Sequence, residues 1–362
     1  MKRIVLFVNL ILLTLMLSPL TASAAPADEA AQQQAITDML STVSQEKTVL
    51  EPEHAATAFL ATLPDDQKER TLLELKPETL VKWSNLPATA ENRNGVSLGE
   101  LSEESLKAGL RLVRSVLSPE GFEQASEIIK ADAYLKTTTV YPQFKWGPNL
   151  YFLSIHGQPT EADPWFVQFS GHHLAETIGF HTEEAAVTSQ FTGLEPRGFH
   201  WNNQPYAPFE DRIAAAQMLM QSLNDDQRTQ SKLKQTYSDV LVGPEKDGAF
   251  PKQEGLALSA LNNHQQAHVK KLVLSWITSV PKQEQQALMD AYFSEDALAQ
   301  TTLAWSSSTE ITTQGAYIRL DGPRMWIELS SREGAAKKED FHLHTIWRDK
   351  LADYGSLLPN TE

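Results

Sequence analysis

The chain has 362 residues, no cysteine, 31 basic and 46 acidic residues, and a formal charge of −15. Without thiols there can be no disulfide exchange, cysteine nucleophile, cysteine-ligated zinc or iron–sulfur cluster; a metal would have to sit on His, Asp, Glu or water, with Met a weak addition. The acidic balance excludes nucleic acid as a partner, because phosphate recognition needs basic patches.

The N-terminus reads Lys2-Arg3, an apolar run from Ile4 to Leu17 interrupted by Asn9, the break Ser18-Pro19, and then Ala22-Ser23-Ala24. A basic start, a short apolar stretch and a small-residue site are the order of a secretory signal peptide. The run is shorter than the roughly 20 residues that cross a bilayer. We therefore expect residues 1–24 to be removed, export to the periplasm or the extracellular space, and no membrane span in the remainder. Loss of Lys2 and Arg3 takes the charge from −15 to −17. Residues 25–362 are numerous enough to bury a core without disulfides.

Residues 25–35 are small and polar and read as a loose tail or a frayed helix start. Helical patterning then runs to about residue 136. Ser118-Pro119-Glu120 looks like an N-cap followed by proline at the first helical position. Leu101-Ser102-Glu103-Glu104 opens a helix with Leu106, Leu110, Val113 and Leu117 at spacings of three and four. Leu63-Pro64-Asp65-Asp66-Gln67-Lys68 is nearly repeated at Leu223-Asn224-Asp225-Asp226-Gln227-Arg228, and more loosely at Leu261-Asn262-Asn263-His264-Gln265-Gln266. Asn224/Gln227 and Asn262/Gln265 have capping-box spacing. These are convergent helix starts or a faint duplication; no fixed period marks a solenoid.

Residues 137–206 change to strand and turn composition, with Thr137–Tyr141, Leu150–Ile155 and Trp165–Phe169 punctuated by Gly and Pro. Helices return over 207–300. Strands resume at Gly315–Leu320, Arg324–Leu329 and Phe341–Trp347, the last two joined as a hairpin by the charged stretch 331–340. The fold class is α+β: helical segments with an antiparallel sheet that includes a C-terminal β-hairpin. One compact domain over 25–362, or two intimately packed halves split near 207, both suit this length.

Two histidine segments concentrate the chemistry: Ser170-Gly171-His172-His173 and His342-Leu343-His344. Alternation along the first puts Gln168, Ser170, His172 and Glu176 opposite Trp165, Val167 and Phe169. His173 then falls on the apolar side unless Gly171 marks a bulge. In the hairpin, Arg324, Trp326, Glu328, His342, His344 and Arg348 collect on one face. Imidazoles two apart on one strand, joined by a third from another, suit zinc, copper, nickel or iron, with zinc or copper expected. Glu328 or Glu176 would be the fourth ligand. The set expected to hold the ion is His172, His342 and His344 with His173 or Glu328. Glu328, Arg348 and Arg324 are the candidates for catalysis or for orienting an anionic substrate.

The remaining histidines invite plainer readings. His264 and His268 are four apart but opposite the apolar stripe Val269, Leu272, Val273, Trp276, Ile277 and Val280, so they lie on a solvated face. His156, His181 and His200 take structural roles by default. There is no GxSxG, phosphate loop, dinucleotide fingerprint or HExxH, and Asp65/Asp66 and Asp225/Asp226 are first-turn residues favoured by the helix dipole.

Across most of the chain these segments resemble the family catalogued as domain of unknown function 3500. The resemblance runs through the helix starts, Gly157-Gln158-Pro159 with Trp165, Ser170-Gly171-His172-His173-Leu174 and Phe191-Thr192-Gly193-Leu194-Glu195-Pro196. It continues through Gly322-Pro323 with Ile327-Glu328, His342-Leu343-His344-Thr345-Ile346-Trp347-Arg348-Asp349, and Tyr354-Gly355. The Gly-His-His and His-x-His-x-x-x-Arg-Asp patterns are its specific parts, and His156 stands where the family pattern has Phe-Gly-x-Pro. The resemblance implies no activity or cofactor.

Three functions remain open at this level. The first is an exported metalloprotein, a hydrolase being one form, acting on or binding a small anionic molecule. The second is a metal-free cell-envelope module whose polar hairpin face and Trp326 grip a small anionic or sugar-like ligand. The third is an interaction protein with structural histidines.

Overall fold

The computed structural model describes residues 26–87, 93–139, 145–180, 189–336 and 338–357. The expected signal segment and His181 lie outside the described residues. In chain order the helices are α1 (Pro26–Ser44), α2 (Pro52–Ala61), α3 (Asp65–Thr71), α4 (Pro77–Leu80), α5 (Glu103–Val116), α6 (Pro119–Thr138), α7 (Glu210–Ser222), α8 (Asp225–Ser231), α9 (Asn263–Ile277), α10 (Lys282–Tyr292) and α11 (Glu295–Gln300). The strands are β1 (Leu72–Leu73), β2 (Val96–Ser97), β3 (Phe152–His156), β4 (Trp165–Gly171), β5 (Leu174–Phe180), β6 (Gln190–Leu194), β7 (Phe199–Trp201), β8 (Gln204–Tyr206), β9 (Leu256–Ala257), β10 (Thr302–Ser306), β11 (Tyr317–Asp321), β12 (Met325–Glu333) and β13 (Phe341–Asp349). The fold is α+β.

The caps are where the sequence puts them. Ser102 and Ser118 accept from Ser105 N and Gly121 N, and Asn224/Gln227 and Asn262/Gln265 form reciprocal capping boxes. Thr137 and Thr138, expected in a strand, finish α6 instead. That helix buries Ile128, Ile129 and Leu135, and this packing outweighs the β preference of its last threonines.

An 11-stranded sheet runs β1-β3-β4-β5-β6-β13-β12-β11-β10-β9, with β2 also on β3. Its two wings repeat one another. Val96 pairs with Leu153 as Leu256 pairs with Leu303, and Leu72 runs parallel to Ile155 as Lys232 does to Trp305. The turn between Gly171 and Leu174 matches the one between Gly322 and Met325, and Gln168↔Thr177 matches Arg319↔Glu328. The wings meet where β6 pairs antiparallel with β13, symmetrically about Gln190↔Trp347. The near-copies at Leu63 and Leu223 open α3 and α8, the same element of each wing. The copy at Leu261 instead opens α9, the counterpart of α5 at Leu101.

The C-terminal hairpin therefore lies at the centre of the sheet, and its two faces are covered differently. Ile327, Leu329, Leu343 and Trp347 join Val167, Phe169 and the helices in the main core. Trp326, Ile346 and Phe191 face the other way, under Trp83, Val242 and the irregular stretch around them. The hairpin face expected to collect the histidines and charged residues is thus a second, loop-covered core.

Candidate metal centre

Because Gly171 pairs with Leu174, His172 and His173 are the two central residues of a tight turn between β4 and β5. His173 takes φ 61°, a left-handed conformation uncommon outside glycine. Strand alternation stops at a turn, so His173 does not fall on the apolar side; it reaches across β6 to β13. Its carbonyl accepts from Gly193 N at 2.7 Å. Gly193 also leaves room for the ring: a Cβ there would lie 2.7 Å from His173 Cδ2. His344 pairs with Gly193 on one side and Ser330 on the other, and His342 pairs with Arg332, so both imidazoles rise on the loop-covered face.

The two histidine segments meet. Nε2 of His342 lies 2.9 Å from Nε2 of His173 and 2.9 Å from Nε2 of His344. All three side chains are buried. Their outer nitrogens have defined partners in two cases. His342 Nδ1 faces the Glu333 carbonyl at 3.0 Å, and His344 Nδ1 faces Asp239 Oδ1 at 2.8 Å. A carbonyl can only accept, so His342 Nδ1 carries a proton and its Nε2 presents a lone pair. Two contacts compete at His344 Nδ1, because Arg332 also lies 3.1 Å from it. The carboxylate is closer, and Arg332 is already paired to Asp239 Oδ2 at 2.8 Å, so we assign Nδ1–H donating to Asp239. The Nε2 atoms of His342 and His344 are then two acceptors in contact.

Apart from His173 beside His342, these two Nε2 atoms have no other hydrogen-bond contact among the described residues. Burial, reinforced by the neighbouring imidazoles and Arg332, holds His173 and His342 well below the ordinary histidine range. His344 is lowered as well, burial outweighing the opposing pull of Asp239. Burial alone would raise Asp239, but the His344 hydrogen bond and the charge of Arg332 leave it below its usual value. A divalent cation would relieve the clash. Three imidazoles about 2.0–2.1 Å from one ion stand about 3.3 Å apart, a few tenths more than the two 2.9 Å contacts of His342, and the ligand atoms of all three histidines lie within 4.8 Å of one another. Carboxylate–histidine and carbonyl–histidine contacts are also the usual outer support of imidazole ligands.

The cluster opens on a cavity of about 420 Å³ lined by Asn85, Leu86, Pro87, Trp146, Ser238, Arg332, Glu333, Gly334, Ala335 and the four histidines. His172 belongs to this wall rather than to the three converging nitrogens. Its Nδ1 lies 2.6 Å from Asp132 Oδ1, and its ring stacks on His173 with centroids 3.7 Å apart. Of the four expected histidines, His173 meets His342 and His344 directly, and His172 meets Asp132 beside them.

The other expected residues lie elsewhere. Glu328 shares a face with His344, but its oxygens accept from Leu241 N, Val242 N, Tyr317 Oη and Trp326 Nε1. Arg348 is buried against Asp247, Asp353 and the Val242 carbonyl, and Arg324 pairs with Asp349 at 2.5 Å. Arg348 is four residues beyond His344, about 13 Å along the strand, whereas Glu328, two positions from the His344 register, is taken up by its own four donors, so a shared face did not mean a shared site. Glu328 and Arg348 instead fasten the stretch that carries Asp239. Glu176 is on the opposite face beside Gln190 and Ser279, and Trp326 is fully buried, so neither reaches the cavity. His156 is buried between Ser154 and Thr79, and burial lowers it to about 4. His264 and His268 stand on the outer side of α9, whose stripe from Val269 to Ile277 is buried.

A family model described as "protein of unknown function (DUF3500)" matches residues 18–356. The chain belongs to the DUF3500 family. No curated protein and no solved structure matches it. The DUF3500 match takes in both histidine segments and the Phe191–Pro196 stretch that holds Gly193 and Glu195.

Sequence reasoning passed over Asp132, Asp239 and Arg332, and met Gly193 and Glu195 only as part of the Phe191–Pro196 stretch of the family resemblance. Asp132 had a signal: it falls four after Ile128 and three before Leu135, a carboxylate within the buried stripe of α6. Glu195 is fully buried and accepts from Ala335 N and Ala336 N, shaping the loop beside His342. Asp239 sits in an irregular stretch with no periodicity to mark it.

Proposed function

We propose that the chain is an exported metalloprotein in which Nε2 of His173, His342 and His344 hold one first-row divalent cation, zinc or copper by preference. A small anionic molecule approaches its open position through the cavity, guided by Arg332. The observation that carries this is the 2.9 Å contact between two Nε2 atoms whose opposite nitrogens are both committed as donors. Imidazole suits these metals, and three protein ligands leave a coordination position for water or a bound oxygen. Export rests on the N-terminal pattern Lys2-Arg3, Ile4–Leu17 and Ala22-Ser23-Ala24.

Elemental analysis of the protein, purified without chelator or histidine tag, tests the reading beside the His342→Ala/His344→Ala variant. Near-stoichiometric metal in the parent and none at this site in the variant is expected. A parent that stays empty after incubation with each ion and desalting would move the assignment to a metal-free ligand-binding module.

A further inference from the structure

We propose that the centre is binuclear: a second divalent cation binds Asp132, His172 and His173, sharing the His173 imidazole with the first. The inference rests on the three-histidine reading above. Asp132, His172 and His173 are all buried, and each offers a ligand atom within 4.8 Å of the other two.

Three features point to a cation rather than a plain hydrogen bond. Asp132 Oδ1 meets His172, and the Tyr151 hydroxyl and the charge of Arg93 also bear on this carboxylate, but Oδ2 is buried without a hydrogen bond of its own among the described residues. A buried carboxylate satisfied on one oxygen only is costly unless a positive charge completes it. The second feature is the contrast between the histidines. His342 and His344 each give Nδ1 to an outer acceptor, whereas among the described residues only Nε2 of His173 has a hydrogen-bond contact. Imidazole ligands nearly always use their second nitrogen, so the free one on His173 is an available ligand. The third is rigidity: His172 is held between the His173 ring, stacked at 27°, and Trp146, whose ring centre is 4.5 Å away.

Uptake of the second ion takes His172 as its Nε2–H tautomer, the proton between Nδ1 and Asp132 passing to Nε2, and displaces the one proton remaining on His173. That proton goes to solvent, and no electron moves. His173 then bridges two cations as an imidazolate, and the pair faces the same cavity as Arg332.

The test uses zinc(II), then copper(II), as probes on the full protein carrying His264→Gln/His268→Gln, which removes the exposed i,i+4 pair on α9. After saturation and desalting, two zinc ions per chain are expected, falling to one with Asp132→Asn. In the copper-loaded protein the bridged spins should couple and weaken the mononuclear resonance signal, and Asp132→Asn should restore it for one copper. One zinc per chain in both proteins, with an uncoupled copper signal, overturns the second position and leaves the three-histidine site standing. One zinc lost in Asp132→Asn but kept in His342→Ala/His344→Ala overturns the three-histidine site and the sharing with it. No zinc at all overturns both. If Asp132→Asn melts far below the parent, His172→Gln supplies the same readout.

Discussion

Gly193→Ala should cripple metal binding while sparing the fold. The added Cβ would lie 2.7 Å from His173 Cδ2, 3.0 Å from its Cγ and 3.1 Å from the Leu343 carbonyl. Carbon–carbon contacts settle near 3.5–4.0 Å, so the ring must retreat by roughly 0.8 Å. Metal–ligand distances tolerate only about 0.2 Å, so the ring cannot retreat that far and still hold the ion with His342 and His344. Overpacking of this size costs about 1–3 kcal/mol. Charged to binding, that is roughly a 5- to 150-fold loss of affinity at 1.4 kcal/mol per decade. In the metal-free protein the ring has the adjoining cavity to move into, so the melting temperature should fall little. The assay is a zinc titration against a chromophoric chelator, with Gly198→Ala as control because its Cβ meets only Tyr206 O at 3.4 Å. Unchanged zinc affinity in Gly193→Ala would refute the placement of His173 as a ligand.

Three other substitutions probe the frame. Asp239→Ala removes the acceptor of His344 Nδ1 and should weaken zinc binding about 10- to 100-fold. Equal affinity in the same titration would show that the contact orients nothing. Glu328→Ala leaves four donors without an acceptor beneath the loop that carries Asp239. Urea denaturation should show a loss of about 3–5 kcal/mol, and a loss under 1 would mean the loop is held otherwise. Burial raises Glu176 to about 8, against the opposing pulls of Gln190 and Arg212. The folded state therefore holds this proton above the unfolded value near 4.3, and stability falls as pH rises from there through 8. Glu176→Gln should melt higher than the parent at pH 9 and alike at pH 4. A variant less stable than the parent at pH 7 would instead mark an ion pair with Arg212.

The parts of this structure that were legible in advance are those governed by short-range rules. The caps at Ser102, Ser118, Asn224 and Asn262, the buried stripe of α9 and the shared face of Glu328, His342, His344 and Arg348 all follow from spacing alone. The site needed longer-range facts. His173 was misplaced because alternation was carried through what is a two-residue turn, and Glu176 fell on the wrong face for the same reason. Glu328 and Arg348 share a side with the histidines, yet strand rise carries Arg348 out of reach and Glu328 is taken up by four donors. The repeated Leu-x-Asp-Asp-Gln start was a sign of the duplicated wings, but only strand pairing about Gln190 and Trp347 makes the correspondence specific. Asp239 and Arg332 could not have been joined to His344 before the loop stretch was laid on the sheet.

The most direct test of the three-histidine centre is anomalous diffraction from crystals of the zinc-loaded protein, recorded on both sides of the zinc absorption edge. A single strong peak about 2.0–2.1 Å from Nε2 of His173, His342 and His344 is what the account predicts, with the second ion, if bound, beside Asp132. Zinc-loaded crystals with no peak among these three nitrogens would contradict it.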